Sequence, residues 1–396
     1  MTKIFQTHPL DLHEIRSRIA SSLGPKDLAS CTRVSQDWND SFTPPLYRSV
    51  VLSKHDLSME SVERHKRLIQ HLTIRTSAYF SLSSSSERNK VVSSVMANSV
   101  LTTLNLYKNL IGDSGAEALS EALKTNTTLT TLELHYNSIG PNGAVALSEA
   151  LKTNSTLTRL GLHHNLIGDN GAVALSEALK MNSTLTTLKL VDNRIGPNGA
   201  VALSEALKTN STLTTLGLHY NSIRPNGAVA LSEALKTNST LTRLGLHHNS
   251  IGDNGAVALS EALKMNSTLT TLKLGDNMIG DNGAEALSEA LKTNSTLTTL
   301  SLWGNWWGKN LITDYGAEAL SEALKMNSTL TTLKLGDNMI GDNGAEALSE
   351  ALKTNSTLTV LNMKEILITY VGAKALFNVC DNPESIVTIK GLDHYR

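Results

Sequence analysis

Leucine recurs along this chain in two alternating rhythms. From Leu101 to about Ser385 a 28-residue pattern, LxxLxLxxNxIGxxGAxALSEALKxNxT, restarts at Leu101, Leu129, Leu157, Leu185, Leu213, Leu241, Leu269, Leu297, Leu330 and, in decayed form, Leu358. In the unit from Leu129 the opening LxxLxL alternates at two residues. Leu132 and Leu134 therefore share one face of a short strand, and Thr131, Glu133 and His135 share the other. In the tail, Ala144, Leu147, Ala150 and Leu151 fall at helical spacing, while Glu149 and Lys152 stay on the polar side. The pattern predicts a strand, a turn, a helix of about two and a half turns and a second turn. Asn142 is expected to cap the start of that helix, and Asn154 to take the left-handed turn that ends it.

Elements this short cannot bury their leucines alone. At roughly 1.5 to 3 kcal/mol per buried leucine, the units are expected to stack and share one continuous core. Their strands then lie side by side as a parallel sheet, and the bulkier helices form an outer layer, which forces curvature. The expected fold class is α/β: a horseshoe solenoid with parallel strands inside and helices outside.

These residues carry a resemblance to the leucine-rich repeat family, and the 28-residue unit with a helical outer segment is similar to its ribonuclease-inhibitor-like subtype. The resemblance implies a protein–protein interaction scaffold. It also implies that the asparagine after each strand is buried, its amide satisfying the turn. That residue recurs as Asn109, Asn137, Asn165, Asn193, Asn221, Asn249, Asn277, Asn305 and Asn338. In the last unit Ile366 stands in the slot, which implies a cap with a different turn.

Residues 6–50 contain no repeat and read as three short helices. Leu12, Ile15, Ile19 and Leu23 space one apolar stripe, Gly24-Pro25 breaks the chain, a second helix runs through Val34 and Trp38, and Pro44-Pro45 ends the segment. The segment resembles the F-box in Leu12, Glu14, Ile15, Ile19, Asp27, Leu28, Val34, Trp38, Pro45, Tyr47 and Arg48, with His13 where that family has a proline. The resemblance implies that Leu12, Ile15, Ile19, Leu28, Val34, Trp38 and Pro45 contact a Skp-type adaptor of a cullin-based ubiquitin ligase. The chain would then be a substrate receptor whose repeats hold the protein to be modified, and not itself an enzyme. A small helical cap over the first repeats is the alternative. Residues 51–100 are transitional, with Ile69, Leu72 and Ile74 as the inward strand of an N-terminal half-repeat; residues 101–385 are the repeats and 386–396 a terminal strand and tail.

Composition adds mainly exclusions. A net charge of −1 with no basic stripe gives no case for nucleic acid, and no apolar run is long enough to span a bilayer. Cys31 and Cys380 lie far apart, and the first ten residues lack the apolar stretch of a secretory signal, so a monomer in the cytoplasm or nucleus is expected. Units end in acceptor sequons such as Asn154-Ser155-Thr156, read as the turn into the next strand.

The outward strand positions define the expected partner-binding concave face: Tyr107, Glu133, His135, Arg159, His163, Lys189, His219, Arg243, His247, Lys273, Trp303, Trp306 and Lys334. The units from Leu129, Leu157 and Leu185 resemble those from Leu213, Leu241 and Leu269, as a block duplication would leave them. His135 with His163, and His219 with His247, fall on neighbouring strands close enough to share a metal. No fixed carboxylate or thiolate recurs with both pairs, so the strip is read as an adaptable polar surface, with no metal or cofactor assigned. The unit from Leu297 is five residues longer and holds three of the four tryptophans. Trp307 takes the place of the core isoleucine, and Trp303, Trp306 and the loop from Lys309 to Tyr315 are expected to form a contact region.

No phosphate loop or nucleophile elbow is present, and Asp169 and Asp281 read as turn and capping residues. The second function class is a ligase-independent binding or regulatory protein. The repeat subtype also implies a Ran-type GTPase-activating-protein-like regulator as one form of it.

Overall fold

The computed structural model describes residues 20, 48–52, 66–74, 93–304, 310–380, 386–392 and 395. Thirteen strands form one open sheet in strict chain order, every neighbouring pair parallel. The sheet starts with β1 (Ser49–Leu52) and β2 (His71–Ile74). It continues through β3 (Thr103–Asn105), β4 (Thr131–Glu133), β5 (Arg159–Gly161), β6 (Thr187–Lys189), β7 (Thr215–Gly217), β8 (Arg243–Gly245) and β9 (Thr271–Lys273). β10 (Thr299–Ser301), β11 (Thr332–Lys334), β12 (Val360–Asn362) and β13 (Thr388–Lys390) complete it. Register follows the repeat, so Leu132 lies beside Leu104 and Leu160.

A helix follows each strand from β3 to β12, for example Pro141–Leu151 after β4 and Gly168–Met181 after β5, and each packs against the next. Leu129, Leu132, Leu134, Ile139, Ala144, Leu147 and Leu151 are all buried, as are their copies from unit to unit, in one cluster running from Val50 to Leu392. Strands sit about 4.8 Å apart whereas packed helices need about 8 to 10 Å. The strand layer is therefore the inner, concave side.

Two ladders of buried asparagine tie each unit to the next. Asn137 donates to the carbonyls of Leu106 and Leu134, and its Oδ1 accepts from the amides of Asn109 and Ile111 in the preceding unit. At the far end of each helix Asn154 donates to Leu123 and Asn126 and accepts from Thr156 and Leu157. Asn154 is the sequon asparagine, so a glycan on its nitrogen would remove one of the two N–H donors from a buried site. Its backbone is not left-handed. The equivalent Asn126 is extended at φ −75° and ψ 128°, and positive φ falls instead at Tyr136 and Ser138, either side of the first-ladder asparagine.

Two further local expectations are corrected. Asn142 does not cap its helix: it lies inside it and exposed, and the amides of Gly140 and Gly143 are met by Asp113 of the unit before. Asn305 does not fill the ladder slot in the long unit. Asn310 does, fully buried, accepting from Asn277 at 2.9 Å and donating to Leu274 and Leu302. The core position assigned to Trp307 is likewise held by Ile312, so the five extra residues 305–309 form an insertion before the asparagine. Asn305, Trp306, Trp307 and Lys309 lie outside the described residues, as does the F-box-like segment apart from Ala20 and Arg48–Val50.

Candidate protein-docking face

The strands place alternate side chains on the inner face, and the residues that follow each strand extend it. Tyr107, His135 and His163 form one run: Tyr107 and His135 ring centres are 4.6 Å apart, and His135 and His163 stack at 4.4 Å. The duplicated block forms a second run, with His219 and His247 stacked at 4.7 Å and Trp303 tilted against His247 at 5.3 Å. A parallel track joins Tyr136 to His164 at 4.0 Å and Tyr220 to His248 at 3.9 Å. His164 and His248 meet Asp192 and Asp276 at 2.7 and 2.8 Å.

Stacking at this spacing follows from the register, because equivalent residues lie about one strand apart. In the second run the rings are also held by backbone: His219 Nδ1 accepts from the amide of His247, and His247 Nδ1 from that of Gly275. Both rings are thereby kept neutral. Burial first, then nearby positive groups, lower His219 to about 4 and His247 to about 3. His163 falls to about 4, through burial and the adjacent His135.

Glu133 is the carboxylate of the first run. Its Oε1 accepts from Arg159 Nε at 2.7 Å and its Oε2 lies 3.5 Å from His135 Nδ1. Burial alone would raise its pKa, but His135 and Arg159 outweigh that and hold it at about 2. Glu133, His135 and His163 offer ligand atoms within 4.8 Å of one another. A carboxylate thus joins the first histidine pair, though Gly217 stands in its place in the second. The two rings are within 11° of parallel, so their in-plane lone pairs run side by side and do not converge, and Arg159 already occupies the carboxylate. The arrangement suits a polar surface better than a metal centre.

The cations Lys189, Arg243, Lys273 and Lys334 also reach this face, on β6, β8, β9 and β11. A cavity of about 400 Å³ opens between the first three of these, bounded by His163, Lys189, Gly217, His219, Arg243 and Lys273 among others. Trp303 is on the face as expected, but half-buried against His247, His248 and the backbone of Gly275. Trp306 lies outside the described residues, as do Leu12, Ile15, Ile19, Leu28, Val34, Trp38 and Pro45. The Glu133–Arg159 pair and the cavity emerge only from the fold. Each residue could be placed on the face by its spacing, but their partnership is diagonal across two strands.

The outer helix face is monotonous by comparison. It repeats ALSEALK, with Lys152 on Glu149 and Lys180 on Glu177, three residues apart. No described helix is long and apolar enough to cross a membrane.

Comparison with known proteins agrees with this architecture. The Leucine Rich repeat family matches residues 97–120, 125–148, 153–176, 182–204, 209–232, 237–260, 266–288 and 327–349. No curated protein matches the chain. Among solved structures, the complex of TLR13 with ssRNA13 is similar over 83% of this chain at 19% identity and a TM-score of 0.52; the match spans 41% of that chain. An internalin (inlF) from Listeria monocytogenes is similar over 96% of this chain and 94% of its own, at 19% identity and a TM-score of 0.49. Leiomodin-1 actin-binding site 2 is similar over 46% of this chain and 86% of its own, at 24% identity and a TM-score of 0.32. The eight matched segments between residues 97 and 349 are leucine-rich repeats, and the parallel solenoid is built from them.

Proposed function

We propose that the strand face docks a protein partner and that the chain is a non-enzymatic interaction scaffold. The observation that carries this is where the units differ. Their helices repeat one sequence almost unchanged, while the strand position of Glu133 becomes Gly161, Lys189, Gly217, Gly245, Lys273, Ser301 and Lys334 in turn. Among the described repeats that face, and not the helix layer, offers a partner something specific to read. Half-exposed aromatic rings backed by a rigid sheet are also the usual anchors of protein interfaces. The repeat length and the outer helices favour the ribonuclease-inhibitor-like subtype as the finer description.

Affinity capture from cell extract tests the reading, with His247→Ala/Trp303→Ala on the strand face compared with Glu149→Ala/Glu205→Ala on the helix face. Partners lost only with the first pair support it. Partners lost only with the second would refute it.

The sequence pattern from Leu12 to Arg48 favours a more specific role: a substrate receptor that joins a Skp-type adaptor and a cullin while the repeats hold the substrate. Co-purification of both subunits, abolished by Ile15→Asp or Leu28→Asp, is the expected result. Unchanged repeat-dependent partners without either subunit would select the ligase-independent scaffold. Accelerated GTP hydrolysis by a Ran-type GTPase would select the GTPase-regulating form.

A further inference from the structure

The duplicated blocks form a comparison inside one chain. The units from Leu129 and Leu213 differ at Glu133/Gly217 and at Gly140/Arg224, and the following units differ at Leu166/Ser250. In the first block Glu133 lies on Arg159 at 2.7 Å, and Arg159 is half-buried. In the second block Gly217 has replaced the carboxylate, and the copied arginine, Arg243, stands exposed. Among the described residues no carboxylate lies within ion-pair distance of Arg243, Lys189 or Lys273.

The glycines of the face are not equivalent. A Cβ on Gly161 would collide with Glu133 Oε2 at 1.8 Å, and one on Gly245 with His219 at 1.9 Å, so both are covered by a neighbouring side chain. A Cβ on Gly217 would meet nothing nearer than Val191 at 3.6 Å. The open glycine is on the wall of the 400 Å³ cavity, with Lys189 on one side and Arg243 and Lys273 on the other. Two half-buried lysines and the exposed Arg243 face one another, and among the described residues none of them has an ion-pair partner. Burial first, and the other cations after it, hold both lysines below their ordinary pKa, which reports the same imbalance.

We propose that this cavity takes the carboxylate of a glutamate side chain from an acidic segment of a protein partner, Arg243 donating to it as Arg159 donates to Glu133. The proposal rests on the strand face being a docking surface. The chain itself supplies the reason for a carboxylate over another anion. Where the duplicated site is filled, a glutamate fills it, and the volume leaves room for that side chain with part of its backbone.

Titration calorimetry of the full chain with acetylated, amidated decaglutamate and decaglutamine tests this. Binding of the first and not the second is expected. Gly217→Glu, which installs the residue β4 carries, should abolish binding. Arg243→Gln, an exposed change that spares the core, should weaken it at least tenfold. Lys208→Gln on the helix face, with the same charge change, should stay within twofold. Glutarate should compete more strongly than inorganic phosphate. Equal binding by Arg243→Gln, or by Gly217→Glu with an unchanged melting curve, overturns the proposal, and so does displacement by phosphate alone. Extract partners that depend on His247 and Trp303 but ignore Gly217→Glu would overturn it while leaving the docking face intact.

Discussion

The carboxylate of Asp253 accepts hydrogen bonds from the amides of Gly280 and Gly283, at 2.7 and 3.1 Å, so one unit caps the helix of the next. The amides at a helix start otherwise lack partners. Asp253→Ala is expected to cost about 1–2 kcal/mol, and Asp253→Asn less, because an acceptor oxygen remains. Denaturant unfolding measures both. Glu261→Ala, which breaks an exposed helix pair, should cost under about 0.5 kcal/mol. Equal losses at the two sites would show that the aspartate is not a cap.

The asparagine ladder should be more sensitive. Asn249 donates to Leu218 and Leu246 and accepts from Ile223, all of it buried. Asn249→Ala leaves a buried amide and two buried carbonyls without their partner, at about 2–4 kcal/mol. Hydrogen exchange should quicken first at the Ile223 amide, in the preceding unit. Exchange faster only within the unit of Asn249 would contradict the ladder.

The stack could be read from the leucines because a unit that cannot fold alone must repeat the solution of its neighbours. What escaped was whatever one unit does for another. Asn142 looks like a cap by its position in its own helix, but in a solenoid the neighbour's Asp113 reaches the amides first. The long unit misled by offset. Asn305 stands at the usual distance from Leu297, yet the asparagine-x-isoleucine triplet that the core needs is Asn310 to Ile312. Glu133 and Arg159 were both placed on the inner face by alternation, while their ion pair required the register of β4 against β5. The emptied copy of that pair is invisible until the cavity is seen.

Where the preceding unit has proline in place of the capping aspartate, the helix opens one residue early on a left-handed residue: Gly168 at φ 60°, Gly252 at φ 65° and Arg224 at φ 60°. Each donates its amide to the next unit, Arg224 to the carbonyl of Asn249 at 2.9 Å. An L-residue pays about 1–2 kcal/mol for this conformation, and glycine's extra freedom when unfolded returns part of the gain. Arg224→Gly should therefore stabilise by about 0.5–1 kcal/mol, and Gly168→Ala destabilise by about 1 kcal/mol. Opposite signs in urea unfolding are the check. A loss in Arg224→Gly would mean that its side chain contributes more than its backbone costs.

Acid sensitivity follows from His219 and His247, neutral in the fold and lowered to about 4 and about 3 by burial and their cationic neighbours. Unfolding restores their ordinary affinity for protons, so between roughly pH 6.5 and pH 4 the unfolded chain binds more protons than the folded one. Stability is full above the unfolded pKa and falls as the pH drops through this window. Glu133 has the same sign but a lower window, losing its contribution as the pH falls from its ordinary value towards about 2. Since both rings are only partly screened from solvent, the histidine loss should be on the order of 1–3 kcal/mol. Melting of His219→Gln/His247→Gln across pH 7 to pH 4 should show a flatter profile than the parent. Glu133→Gln should lower stability at neutral pH, where the carboxylate contributes in full, and approach the parent only as the pH falls below about 4.5. A parent profile as flat as the double variant would place protons on these rings in the fold, against the amide donors that now hold their Nδ1 atoms.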